Sequence, residues 1–189
     1  AGARPVPLPL IEEKGFRFDA DQLGELVSER TSLIILNSPQ NPTGGVLQPE
    51  DLRAIADICV ERDIPVLSDE IYEPIIYESE FCSIASLPGM FTSERTIILH
   101  GFSKGYAMTG WRLGYGVMPV ELARQIDKLM VNSNSCTAAF TQWAGIAALQ
   151  GPQDAVQTMV QAFRERREVI VGGLNALPGV RCIQPAGAF

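Results

Sequence analysis

Two apolar patterns alternate along this chain, short unbroken runs and stripes at helical spacing. Leu23, Leu26 and Val27 recur at helical spacing within residues 18–27, and Asp19 or Asp21 stands where a helix cap belongs. The run of Leu33, Ile34, Ile35 and Leu36 predicts a strand buried on both faces, as in a parallel sheet. Residues 37–45 are almost all turn formers. Pro49 then opens a predicted helix whose apolar stripe is Leu52, Ile55, Ile58 and Cys59. Residues 64–68 predict the next strand, so strand, helix and strand form a βαβ unit.

Further on, residues 96–99 and 113–118 predict two more strands, separated by the glycine-containing stretch 101–112. Pro119 leads a predicted helix through Leu122, Ile126, Leu129 and Met130, and residues 136–149 predict a second one rich in small residues. After Gly151 and Pro152 comes a longer amphipathic helix with Val156, Met159, Val160, Phe163 and Ile170 on its apolar side. Its charges from Arg164 to Glu168 read as a solvated face. The fold class is α/β, and polar motifs follow the carboxyl ends of successive strands. In open α/β sheets that edge is where ligands bind.

Composition narrows the function classes. At 189 residues, 46% hydrophobic and 20% charged, the chain reads as globular rather than disordered. The net charge of −7 argues against nucleic acid or an anionic membrane as partner. No stretch approaches the roughly 18 apolar residues of a membrane span, and the proline-rich start does not resemble a signal peptide, so a cytoplasmic protein is expected. Four dispersed cysteines (Cys59, Cys82, Cys136, Cys182) without a CxxC read as reduced core residues, and no metal site is expected. The single histidine, His100, closes an apolar run and reads as a satisfied strand-end residue, which leaves triad chemistry poorly supported. The first residue is not Met and the last five are apolar, which suggests an internal stretch of a longer protein.

Chemistry concentrates in three motifs. Of three lysines, only Lys104 follows a predicted strand, and an amine desolvated among small and aromatic residues is a competent nucleophile. Arg112, eight residues on, could grip a phosphate bidentately with Ser103 adding a hydroxyl; the alternative is two surface charges near a glycine turn. Asp69 directly follows an apolar strand, where a carboxylate needs a partner, or else it caps the following turn. Tyr72 faces the same cleft if the segment turns helically, and otherwise is a core tyrosine. Asn41, in Asn-Pro-Thr-Gly, is by itself a turn residue.

In series, these motifs carry more. Asn-x-x-x-Asn-Pro-Thr-Gly at 37–44, Ser-Asp-Glu-Ile-Tyr at 68–72 and Ser-Lys-x-x-x-x-x-Gly-x-Arg-x-Gly-Tyr at 103–115 match in order and spacing. The sequence resembles the fold-type I, class I/II aminotransferases, and most nearly the aspartate aminotransferase branch that carries Ala-Met-Thr-Gly-Trp-Arg after the lysine. The resemblance covers essentially the whole chain. It implies a three-layer α/β/α large domain with a mostly parallel sheet, here partial, over residues 1–151. Residues 152–189 would be the linking helix and the truncated start of a smaller α+β domain.

The resemblance also implies roles. Lys104 would form a Schiff base with pyridoxal 5′-phosphate, and Asp69 would pair with the pyridinium nitrogen. Asn41 and Tyr72 would hydrogen-bond the ring oxygen, and Ser103 and Arg112 would hold the phosphate. Gly101 departs from relatives that place a phosphate-binding hydroxyl there. The implied reaction is ping-pong transfer of an amino group between an amino acid and a 2-oxo acid, with Lys104 as the base at the substrate Cα. A homodimer with a shared active site is implied, as are a phosphate loop before this stretch and a carboxylate-binding arginine after it, so the stretch alone is expected to be inactive. Residues 131–137, where relatives can carry a basic residue for dicarboxylic substrates, contain no arginine. A β-lyase, a cyclopropane-carboxylate synthase and a cofactor-sensing regulatory domain share most of these motifs.

Overall fold

The computed structural model describes residues 2–189. Its centre is a four-stranded sheet in spatial order β1 (Ile34–Asn37), β2 (Val66–Asp69), β3 (Thr96–Gly101), β4 (Gly114–Val117). The first three strands are parallel, and β4 runs antiparallel to β3. The register aligns Asn37 with Asp69 and Asp69 with Leu99, and it sets Gly101 opposite Gly114. The polar residues after β1, β2 and β3 therefore meet at one edge.

Helices α1 (Ala20–Leu26) and α2 (Pro49–Arg62) form where periodicity and capping agree. Asp19 caps α1 by accepting from the Asp21 N–H. Gln48 and Asp51 form a reciprocal capping box at α2, with Pro49 in the first turn where a missing N–H costs nothing. Leu52, Ile55, Ala56 and Cys59 of α2 then pack with Leu36, Val66, Ile84 and Met90 into the main core. Full burial of one such side chain is worth about 1.5–3 kcal/mol, so this face of the sheet carries much of the stability.

Within these 189 residues β1 is buried on one face rather than both, with Ile35 69% exposed on the other. A strand's side chains alternate between faces, and α1 and α2 cover only the face that Leu36 enters. Helices α3 (Val120–Ser133) and α4 (Ala139–Gln150) follow β4, and no residue of α3 is buried. The last helix, α5 (Asp154–Asn175), packs Met159, Val160 and Phe163 against Tyr72, Ile75 and Tyr77.

Two expectations for α5 are corrected. Its charged stretch is not simply a solvated face, because Arg167 is buried and forms a two-pronged pair with Glu78. Ile170 is exposed while Val171 is buried. Phe163, Arg167 and Val171 recur every four residues, and that line is the one α5 turns inward. All four cysteines are free, but only Cys59 is a core residue; Cys136 is exposed and the other two are half-buried. Burial pushes the Cys59 thiol up to about 11.

Candidate functional site

Three strand ends build the candidate site. After β1, the loop 38–48 carries Asn41, whose N–H donates to Asn37 Oδ1 at 3.1 Å. At the end of β2, the Asp69 backbone is fastened from β1, its carbonyl accepting from Asn37 Nδ2 at 3.2 Å and from the Ser38 N–H at 3.3 Å. The half-buried Asp69 carboxylate accepts from the Ile71 N–H at 3.3 Å, so it does cap the following turn. That turn presents Tyr72, which is buried and whose hydroxyl accepts from Asn41 Nδ2 at 2.8 Å.

From the third strand end, Ser103 and Lys104 follow directly, and both are half-buried. The Lys104 ammonium lies 5.4 Å from the centre of the Tyr72 ring and 4.9 Å from that of Phe189. Asn41, Tyr72 and Lys104 thus meet in space, and Asp69 stands at the neighbouring strand end, three residues before Tyr72.

Arg112 is placed differently. It sits at φ +53° between a short 3-10 turn and β4, and its Nη1 donates to the Thr109 carbonyl at 2.9 Å. It lines a hollow of about 900 Å³ with Trp111, Asp127, Cys136 and Phe140. Neither Lys104 nor Ser103 is among the residues lining that hollow. Among the described residues, no group of His, Cys, Asp and Glu is arranged to hold a metal ion. His100 is satisfied in place: its Nδ1 accepts from the Gly101 N–H and its ring stacks on Tyr115.

Next to Asp69, Glu70 is buried and accepts from the hydroxyls of Ser68 at 2.9 Å and Ser83 at 2.8 Å. Burial pushes its carboxyl above the usual range against the opposing effect of the two serines. Sequence reasoning passed over Asn37, Phe189 and Arg167. Asn37 opens a motif that was read, so its signal was present. Phe189 has none, because its contact with Lys104 is purely tertiary.

Residues 1–189 match the family model of aminotransferase class I and II. The chain belongs to that family. It is 43% identical over 190 residues to an aspartate aminotransferase of Musicola paradisiaca, covering 100% of this chain and 47% of that protein. The crystal structure of the aromatic aminotransferase from Pyrococcus horikoshii superposes with a TM-score of 0.93 at 43% identity, over 98% of this chain and 50% of that one. An alanine aminotransferase from Pyrococcus furiosus gives 0.89 at 37% identity, over 100% of this chain and 48% of that one. The chain spans about half the length of the curated relatives it matches.

Members of the class I and II aminotransferases use pyridoxal phosphate. The donor set at the strand ends suits that group: an amine over two aromatic rings, a carboxylate at the end of β2, and a phenol already paired with an amide. Among the described residues, the Arg112 guanidinium makes one hydrogen bond, which leaves further donors for an anion.

Proposed function

We propose that this chain carries the cofactor-holding part of a pyridoxal-phosphate-dependent aminotransferase that moves an amino group between an amino acid and a 2-oxo acid. The observation that carries the proposal is the convergence of Lys104, Tyr72 and Asn41 at the sheet edge where Asp69 ends β2. When bound, pyridoxal phosphate supplies an electron-accepting ring that stabilises the charge left when an amino acid loses its Cα proton. Lys104 Nζ would hold the cofactor covalently and, when its amine is free, would act as the base toward the substrate Cα. Asp69 would pair with the ring nitrogen, Asn41 and Tyr72 would bind the ring oxygen as a pair, and Ser103 and Arg112 would hold the phosphate.

Residues 1–151 form part of the cofactor-binding domain in this reading, and 152–189 the linking helix and the beginning of a smaller domain. The start of α5 at Asp154 supports that division. A homodimer fits the exposed Phe140 and Trp143 on α4. Free cysteines accord with a cytoplasmic protein, and among the described residues no helix is long and apolar enough to cross a membrane. The named relatives act on aspartate, aromatic amino acids and alanine, so the proposal extends to no particular side chain.

The test is reductive trapping. Incubation with pyridoxal phosphate, borohydride reduction and peptide mapping should give one adduct, on Lys104, that is absent from Lys104→Ala. In the full-length protein, adding an amino acid before the borohydride should deplete that adduct and release one equivalent of 2-oxo acid. Equal labelling of Lys14, Lys104 and Lys128 would defeat the assignment of the site. Release of free ammonia instead would replace transamination by a lyase.

A further inference from the structure

Arg167 is buried, and a guanidinium taken out of water is costly unless its donors are met. Its Nη1 donates to Glu78 Oε2 and to the Pro185 carbonyl, each at 2.8 Å, and Nη2 donates to Glu78 Oε1, while the buried Nε has no partner among the described residues. Its planar group lies 4.3 Å from the centre of the Tyr77 ring. Replacing a buried ion pair by packed apolar residues is often neutral or stabilising, so stability alone does not account for a charge here. The Arg167 contacts join α5, the turn after β2 and the segment 185–189.

The segment is held at nearly every residue. Ala186 and Gly187 donate to the Gly44 carbonyl at 2.9 and 3.0 Å, Ala188 donates to the Ile75 carbonyl at 2.9 Å, and the Tyr77 N–H donates to the Ala186 carbonyl at 3.1 Å. The buried Tyr77 hydroxyl donates to the Ala188 carbonyl at 2.6 Å. Gly44 sits at φ +71°, and a Cβ there would meet Pro185 Cβ at 2.2 Å, so the loop that carries Asn41 and this segment are fitted to each other. The segment ends with the Phe189 ring edge-on to Tyr72 at 5.4 Å, stacked on Phe163 at 5.9 Å, and 4.9 Å from the Lys104 ammonium. The rest of the Phe189 surface faces outward.

We propose that Phe189 walls one side of the Lys104 amine from solvent, and that Arg167, with Tyr77, is the positioning residue that sets this wall. The inference rests on reading Lys104 as the reactive amine, but it concerns access to that amine rather than the reaction it performs. An aromatic wall limits water and bulky reagents on its own side and leaves the strand-end side, with Asp69 and Asn41, for the ligand.

Differential labelling tests it. The full-length protein, stripped of cofactor, is treated with a limiting amine-acylating reagent, and the rate at Lys104 is mapped by mass spectrometry against the exposed Lys128. Alkylation of the buried Cys59 reports any general opening of the fold. Phe189→Ala should raise the Lys104 rate several-fold, with Lys128 and Cys59 unchanged. Tyr77→Phe and Arg167→Met should raise it in the same direction, and Arg167→Lys should restore part of the protection. An unchanged Lys104 rate in Phe189→Ala would overturn the wall. A rise confined to Phe189→Ala, or a rise in the clamp variants matched by Cys59, would overturn the positioning role. Failure of cofactor trapping on Lys104, with these labelling differences intact, would defeat the functional reading and leave the wall and clamp standing.

Discussion

Glu70, one residue past Asp69, is a buried acid whose oxygen is met by two serine hydroxyls. Its carboxyl is raised from an ordinary 4.5, chiefly by burial. An acid raised in the folded state binds more protons folded than unfolded, so stability falls as pH rises between the two values. The contribution is complete below pH 4.5 and is lost as pH passes the folded value. Glu70→Gln removes that titration while keeping a side chain able to pair with a serine. Urea unfolding should therefore show Glu70→Gln gaining on the native protein as pH rises from 4.5 to 8. A constant difference across that range would contradict the argument. At this scale the sequence was informative about residue identity and poor on pairing. Asn41 is both a turn residue and the partner of Tyr72, and Asp69 both caps a turn and ends β2, so the local readings of both residues hold.

At the scale of elements, β3 and β4 approach closely because glycine faces glycine. A Cβ on Gly101 would lie 3.0 Å from Gly114 Cα and 3.0 Å from the Leu113 carbonyl oxygen, both backbone atoms that cannot move aside cheaply. This gives the residue a packing reason of its own. Gly101→Ala should cost about 1–3 kcal/mol in urea unfolding, as overpacking does. Gly110→Ala, with nothing within 4 Å of its Cβ, should stay within about 0.5 kcal/mol and serves as the reference. Helices α1 and α2 were legible because caps, period and burial agree in them. In α5 the pattern misled, since a charged stretch on a long helix looks solvated until a partner such as Glu78 arrives from elsewhere in the chain.

Across the whole molecule, apolar surface is distributed unevenly. One face of the sheet is packed by α1 and α2, whereas Ile35, Leu129 and Val169 are exposed, and Phe140 and Trp143 are each 72% exposed. Apolar surface on that scale marks contacts with other protein. These 189 residues, prepared alone, should therefore bind the dye ANS and self-associate with rising concentration in sedimentation velocity. A monodisperse monomer at high concentration that leaves the dye dark would contradict this.

The α/β class, the parallel βαβ unit and the identity of the strand-end motifs followed from sequence, because period, capping and turn chemistry are local properties written within a few residues. The inward turn of Arg167 and the seating of Phe189 against Lys104 followed only from the tertiary structure. Each depends on segments that meet after folding, and no local spacing encodes which cation, ring or carbonyl will arrive there.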